Sequence, residues 1–308
     1  MSIHLEGLTI RYGVHVAVDE LSIVFPRGSV GLLGRNGAGK SSILRALLGL
    51  VRPVSGRIRI VGVTDEGDVA KMRSVIGYMP ERDAHLPNAT GFEMVSLLGM
   101  LSGMAPRDAW RRAHEVLYLV GLEEQRYRSV AGYSAGMRQK AKLAAALVHD
   151  PKMLFLDEPT NGLDPQARAE MLELVRRLSS EFGKAVLLST HILQDVEKVC
   201  DAAVVLERGR VVAEGSIAAL TRGGGRELML AVEPLGLVLP AQLGDGLQVR
   251  REGPGRFTVV VGGDADTAPL LAAIQAAGGR VRSLASRRRT LEDVFLTAVT
   301  AGSATGAP

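Results

Sequence analysis

Two stretches of the chain carry residue types and spacings suited to work on phosphate. Gly34-Arg35-Asn36-Gly37-Ala38-Gly39-Lys40-Ser41 fits the pattern G-x-x-x-x-G-K-[ST]. Its glycines let successive backbone N–H groups turn inward as an anion nest. A helix opening at that point adds the positive end of its dipole. Lys40 supplies a point charge for the outer phosphates, and Ser41 a hydroxyl for Mg²⁺. The second stretch is Met153-Leu154-Phe155-Leu156-Asp157-Glu158, four apolar residues followed by two carboxylates. A fully apolar strand of this kind is buried on both faces of a parallel sheet. Ligands of such sheets bind beyond the carboxyl ends of the strands. One carboxylate there can hold Mg²⁺, and its neighbour, aimed elsewhere, can polarise an attacking water.

The elements that must position these residues follow from the pattern of apolar side chains. Residues 2–10 and 17–25 alternate as strands of an antiparallel edge, with a turn at Pro26-Arg27-Gly28. Ser29 to Leu33 is a buried strand, and Ser41 to Gly49 is helical, so the glycine loop lies between strand and helix. Further strands are expected at 57–63, 74–79, 185–189, 202–206 and 210–213. Helices are expected at 92–104, 107–120, 137–149, 165–180 and 192–200. This alternation predicts an α/β domain with a mainly parallel sheet, ending near residue 222. Gly223-Gly224-Gly225 marks a boundary. Beyond it, strands at 227–232, 247–251, 256–261 and 280–285 and helices at 266–277 and 290–299 predict a small α+β domain over 226–300. Residues 301–308 are small and polar and read as a disordered tail.

Composition narrows the functional classes. The chain has 308 residues, 37 basic against 33 acidic side chains, a net charge of +4 and one cysteine. Cys200 alone permits no internal disulfide, which suits a reducing compartment, and it reads as a small buried hydrophobe. No basic arm is present, and Arg287-Arg288-Arg289 reads as a solvated turn, so no nucleic-acid partner is expected. The best uncharged stretch for a membrane span, Met94 to Ala105, falls short of the roughly 20 residues needed. The N-terminus shows no secretory signal. The chain therefore reads as cytosolic. His4, His15, His85, His114 and His149 show no metal-ligand spacing.

Further motifs carry a family resemblance. Tyr133-Ser134-Ala135-Gly136-Met137 resembles the signature of the ATP-binding cassette (ABC) ATPases, usually Leu-Ser-Gly-Gly-Gln. Asn161-Gly162-Leu163-Asp164 resembles their D-loop, and Ser189-Thr190-His191 their switch histidine. Tyr12 resembles the aromatic that stacks on adenine, and Tyr78-Met79-Pro80-Glu81 stands in the place of their Q-loop. The motifs follow in order over residues 1–222 and imply a P-loop NTPase cassette with a helical subdomain at about 82–150.

The resemblance also implies roles. Gly34, Arg35, Asn36, Gly37, Ala38, Gly39, Lys40, Ser41 and Ser42 would cradle the phosphates of ATP. Ser41 and Asp157, with Glu81, would hold Mg²⁺. Glu158 would be the general base, and His191 would contact the γ-phosphate. Ser134 and Gly136 would cap the nucleotide of a second copy of the chain, and Asp164 would couple the two sites. A separately encoded membrane permease would be the further partner, with the ATPase peripheral on the inner face of the cell membrane. Met94, Met100 and Met104, after the Q-loop, read equally as core or as its docking groove.

Glu81 departs from the usual Gln, and Ala135 and Met137 from the usual Gly and Gln. These changes bear on rate rather than class. Tyr-Ser-x-Gly-Met and Pro-Glu resemble the exporter ATPases of the daunorubicin/doxorubicin resistance type. Thr290-Leu291-Glu292-Asp293-Val294-Phe295-Leu296 resembles the ending of such chains. A soluble ABC ATPase acting on ribosomes or DNA is the alternative. Such proteins usually carry two cassettes or a long coiled coil, and this chain has one cassette and no heptads.

Overall fold

The computed structural model describes residues 2–60, 68–82, 85–86, 88–222, 226–244, 246–262, 265–287 and 290–304. It divides into two compact units, Met1–Ile217 with Thr297–Pro308, and Ala218–Leu296. The division falls before residue 222, at the start of a short helix, Ile217–Arg222. The triple glycine at 223–225 and Arg288-Arg289 lie outside the described residues.

The first unit opens with β1 (Ile3–Tyr12) and β2 (His15–Phe25), an antiparallel hairpin. They pair with β4 (Ser55–Ile60) in a separate three-stranded sheet, β2-β1-β4. Between them lie β3 (Ser29–Gly34) and α1 (Lys40–Leu47). Next come α2 (Val69–Val75) and β5 (Ile76–Met79). The strand expected over 74–79 thus starts later, because Asp68 caps a helical turn by accepting from the Lys71 N–H. Residues 61–63 of the strand expected at 57–63 lie outside the described residues.

Three helices follow: α3 (Gly91–Leu101), α4 (Pro106–Leu119) and α5 (Ala135–Leu147). The start of α3 is fixed by a capping box between Thr90 and Glu93. Pro106 opens α4 at the one helical position where its missing N–H costs nothing.

The unit continues with β6 (Met153–Asp157), α6 (Pro165–Ser180), β7 (Ala185–Thr190), α7 (Leu193–Val199), β8 (Ala202–Glu207) and β9 (Arg210–Ser216). The central sheet has the order β5-β6-β7-β3-β8-β9. Its first five strands run parallel and β9 antiparallel. Every residue of β3 and β6 is buried, as their continuous apolar runs require. Phe155, Leu32, Leu44 and Leu47 join the small sheet's Leu5, Leu8 and Ile10 in one core.

The short helix at Ile217–Arg222 is α8. The second unit's sheet is formed by β10 (Arg226–Glu233), β11 (Gln242–Leu243), β12 (Leu247–Gly253), β13 (Arg256–Val261) and β14 (Arg280–Arg287). They pair antiparallel in the order β11-β12-β13-β10-β14. Leu228, Leu230 and Val232 alternate inward from β10, and Phe257, Val259 and Val261 from β13. Leu270 and Ile274 of α9 (Ala268–Ala276) complete this core. The last helix, α10 (Leu291–Ala304), takes in the first four residues, 301–304, of the tail expected over 301–308. Alanines at 301 and 304 favour continuing the helix, and 305–308 lie outside the described residues.

Candidate nucleotide site

The parallel strands β3, β6 and β7 end side by side, and their carboxyl ends deliver the chemistry. The glycine loop closes from β3 into α1, with the Ala38 N–H donating to Arg35 O at 3.0 Å. Gly39 has φ +104°, and a Cβ there would lie 2.7 Å from the Ala17 carbonyl oxygen, so only glycine fits. Gly39 caps α1 without a side chain, which leaves the first-turn N–H groups for an anion.

Three charged side chains converge on this loop, all nearly buried: Lys40 (6% exposed), Asp157 (4%) and Glu158 (5%). The Lys40 ammonium donates to Gly34 O at 2.7 Å and lies 3.8 Å from Glu158 Oε1. Burial pulls its pKa below the ordinary lysine value, while Glu158, Asp157 and Glu81 draw it back up. The Asp157 carboxylate accepts from Ser189 Oγ at 2.8 Å. Burial raises its pKa, opposed by hydrogen bonds from the Ser189 and Ser41 hydroxyls.

Glu158 is held from several sides. Its backbone N–H donates to Ser189 O at 2.8 Å, and its φ is +49°. That left-handed conformation costs a non-glycine residue on the order of 1–3 kcal/mol. The Glu158 and Asp157 carboxylates, neighbours in sequence, take different partners. Oε2 accepts from Thr190 Oγ1 at 3.2 Å. His191 Nδ1 stands 3.0 Å from both carboxylate oxygens. The carboxylate only accepts, so Nδ1 carries the hydrogen. The imidazole side chain is 46% exposed.

These groups border a cleft of about 670 Å³. Among the expected residues, Tyr12, Asn36, Gly37, Ala38, Gly39, Lys40, Ser41, Ser42, Glu81, Glu158 and His191 line it. Gly34 and Arg35 are not among its lining residues and act through their backbone: the Gly34 carbonyl holds Lys40, and Arg35 O closes the loop. Asp157 lies buried at the end of β6, next to Glu158. Among the described residues, no three His, Cys, Asp or Glu gather as a metal cage. The donors present, one hydroxyl and buried and cleft-lining carboxylates, suit Mg²⁺, which is bound by few protein oxygens together with phosphate and water.

Ser134, Gly136 and Asp164 do not line this cleft. Ser134 and Asp164 are exposed, and each caps its own helix. Ser134 Oγ accepts from the Met137 N–H at 3.2 Å, and Asp164 Oδ1 from the Ala167 N–H at 2.9 Å.

Two further residues line the cleft. His15, which shows no metal-ligand spacing in the sequence, lies opposite Tyr12 in the β1–β2 hairpin. Directly opposed residues of an antiparallel pair share a face, so the hairpin register was the signal available. Asn161, quoted only within a motif, also lines the cleft. The loop carrying it is anchored by buried Asp195, which accepts from Thr160 Oγ1 at 2.7 Å and from Arg168 at 2.6 and 2.8 Å. Nothing in a linear motif announces that triad.

Residues 18–161 match the family model described as ABC transporter. The chain is 36% identical over 300 residues to the daunorubicin resistance ATP-binding protein DrrA3 of Streptomyces coeruleorubidus, covering 96% of this chain and 95% of that one. It is 35% identical over 219 residues to the bacitracin transport ATP-binding protein BcrA of Enterococcus faecalis, covering 71% and 70%. A solved ATP-binding subunit of an ABC transporter superposes with a TM-score of 0.64 at 32% identity, over 72% of this chain and 92% of that one. A dimeric ATP-binding cassette bound to ADP and Pi superposes with a TM-score of 0.63 at 24% identity, over 70% and 98%, which speaks for the fold alone.

Proposed function

The chain belongs to the ABC transporter family as one of its ATP-binding cassette ATPases, and from that premise we propose that it powers an exporter. In this reading it drives a separately encoded membrane permease through ATP-dependent pairing of two copies. Among the described residues no helix is long and apolar enough to cross a membrane, so the membrane path would be the permease's. The cassette would then sit on the cytoplasmic face. Export is suggested by relatives named for daunorubicin resistance and bacitracin transport.

The observation that carries the hydrolytic mechanism is the Glu158 carboxylate, fixed by Thr190 and His191 beside the glycine loop. The inward N–H groups and Lys40 would bind the β- and γ-phosphates of ATP, with Tyr12 and His15 toward the base. An incoming phosphate offers Lys40 a charged acceptor in place of the Gly34 carbonyl, and charge-assisted hydrogen bonds are the stronger. Glu158 would orient the attacking water and take its proton, with the Thr190 and His191 hydrogen bonds fixing its aim. The exposed His191 edge would donate to the γ-phosphate. Ser41 and Asp157, with Glu81 in reach, would hold Mg²⁺. When bound there, Mg²⁺ would supply charge neutralisation to the phosphates. Ser134 and Gly136 would close the site of the second copy, where the N-terminus of α5 favours an anion.

The test is coupled hydrolysis. The purified chain should release phosphate from Mg²⁺–ATP, and co-expression with its permease should yield a stable complex whose turnover changes on reconstitution into vesicles. Turnover indifferent to every polytopic partner would leave the ATPase standing and sink the transport reading.

A further inference from the structure

Helix α5 does more than present Ser134. Lys142 on this helix is 4% exposed and Gln139 is 8% exposed. They stand three positions apart and so share one helix face. The Lys142 ammonium donates to two consecutive backbone carbonyls, Pro80 O at 2.9 Å and Glu81 O at 3.0 Å. Gln139 Nε2 donates to Asn161 O at 3.3 Å. Glu81 and Asn161 both line the phosphate cleft, from separate segments of the chain, after β5 and after β6. Burying an ammonium is costly unless its hydrogen bonds are made, and an apolar residue would fill the same volume without that cost. The two carbonyls just beyond the end of β5 give a buried donor here its hydrogen bonds.

We propose that Lys142, seconded by Gln139, is a positioning residue that fixes the backbone of Glu81 and ties the signature helix to two cleft-lining segments. The proposal rests on reading Glu81 and Ser134 as parts of the nucleotide site. Its consequence is mechanical. A displacement of α5 when Ser134 meets a second copy's nucleotide is carried through Lys142 to Glu81. The Glu81 carboxylate acts electrostatically on both Lys40 and Asp157. The link runs through backbone carbonyls, so it is indifferent to whether residue 81 is Glu or Gln.

The experiment has two arms on the full chain. In the first, Arg82→Cys carries a nitroxide label, read by its spectral line shape. Cys200 competes weakly, because burial raises its thiol pKa. Lys142→Met should mobilise the label and Lys142→Arg should restore it, with the melting temperature recorded for each. Lys142→Gln, which keeps a donor but loses reach, replaces Lys142→Met if that variant does not fold. An equally immobile label in all variants overturns the proposal. In the second arm, Lys142→Met should lower kcat about tenfold with the ATP KM within about twofold. Adding Glu81→Ala should lower it little further, as coupled residues do. Multiplying losses overturn the proposal. A wild-type chain without ATPase activity would instead fail the functional reading, with the label still deciding the grip.

Discussion

The phosphate-facing wall and the signature face are built on opposite plans. The wall is concave and holds three buried charges whose partners come from distant parts of the chain. Lys40 reaches Glu158, Asp157 takes Ser189, and Glu158 takes Thr190 and His191. The signature face consists of exposed, short polar residues, and its hydrogen bonds are satisfied within one helical turn. Removing a member of the wall leaves a buried charge unpaired. Removing a member of the signature face costs a helix cap. The wall thus has its architecture complete within one chain, whereas the signature face, in the proposed reading, acts on the nucleotide of a second copy.

The largest expected effect comes from Glu158→Gln. It keeps the shape and loses the base, so phosphate release should fall by about 10²–10⁴-fold, the usual worth of general-base catalysis. ATP should still bind, and light scattering should find a lasting ATP-dependent dimer. A monomer with undiminished turnover would contradict the assignment of Glu158.

Lys40→Ala should act one step earlier, on binding. A hydrogen bond to a charged group contributes about 1.5–3 kcal/mol, so nucleotide affinity should weaken by roughly 10- to 150-fold in a titration of the isolated chain. If the affinity stayed within twofold, the wall would not be the phosphate cradle.

Ser134→Ala sharpens the contrast. Loss of the cap should lower stability by about 1 kcal/mol. Nucleotide affinity measured at protein concentrations too low for pairing should match wild type, because Ser134 does not line its own chain's cleft. Turnover at concentrations that permit pairing should fall. Weakened affinity in the monomer would place Ser134 in its own chain's site and erase the distinction between the two faces.

The same division explains what could be read from sequence. The wall's glycine loop and its strand-end carboxylates are local patterns, since a tight turn needs glycine and a buried strand needs an apolar run. They stood out without any knowledge of contacts. The supports are not local. Asp195 binds Thr160 and Arg168 through tertiary packing, and Lys142 meets carbonyls 62 and 61 positions away. His15 shows the intermediate case: its place opposite Tyr12 follows once the hairpin register is known, and that register is broken by irregularities between Leu5 and Arg11. In the second unit the alternating strands were legible because one face of the sheet is buried. The end of α10 was not, because a run of small residues suits a helix and a loose tail alike.

The smallest effect separates capping from coupling. Asp164 opens α6, and its carboxylate accepts from the Ala167 N–H. Asn caps about as well as Asp, so Asp164→Asn should leave the melting temperature within about 1–2 °C, given that 1 kcal/mol moves a domain of this size by about 2–4 °C. Asp164→Ala should lose about 1 kcal/mol. If the residue serves only as a cap, the Asn variant hydrolyses ATP like wild type and the Ala variant is merely less stable. If its charge couples two sites, the Asn variant keeps its stability yet loses part of its steady-state turnover, with ATP binding to the isolated chain unchanged. A surface residue with a satisfied local bond gives no structural reason for such a loss, so any loss would have to arise across the interface between two copies.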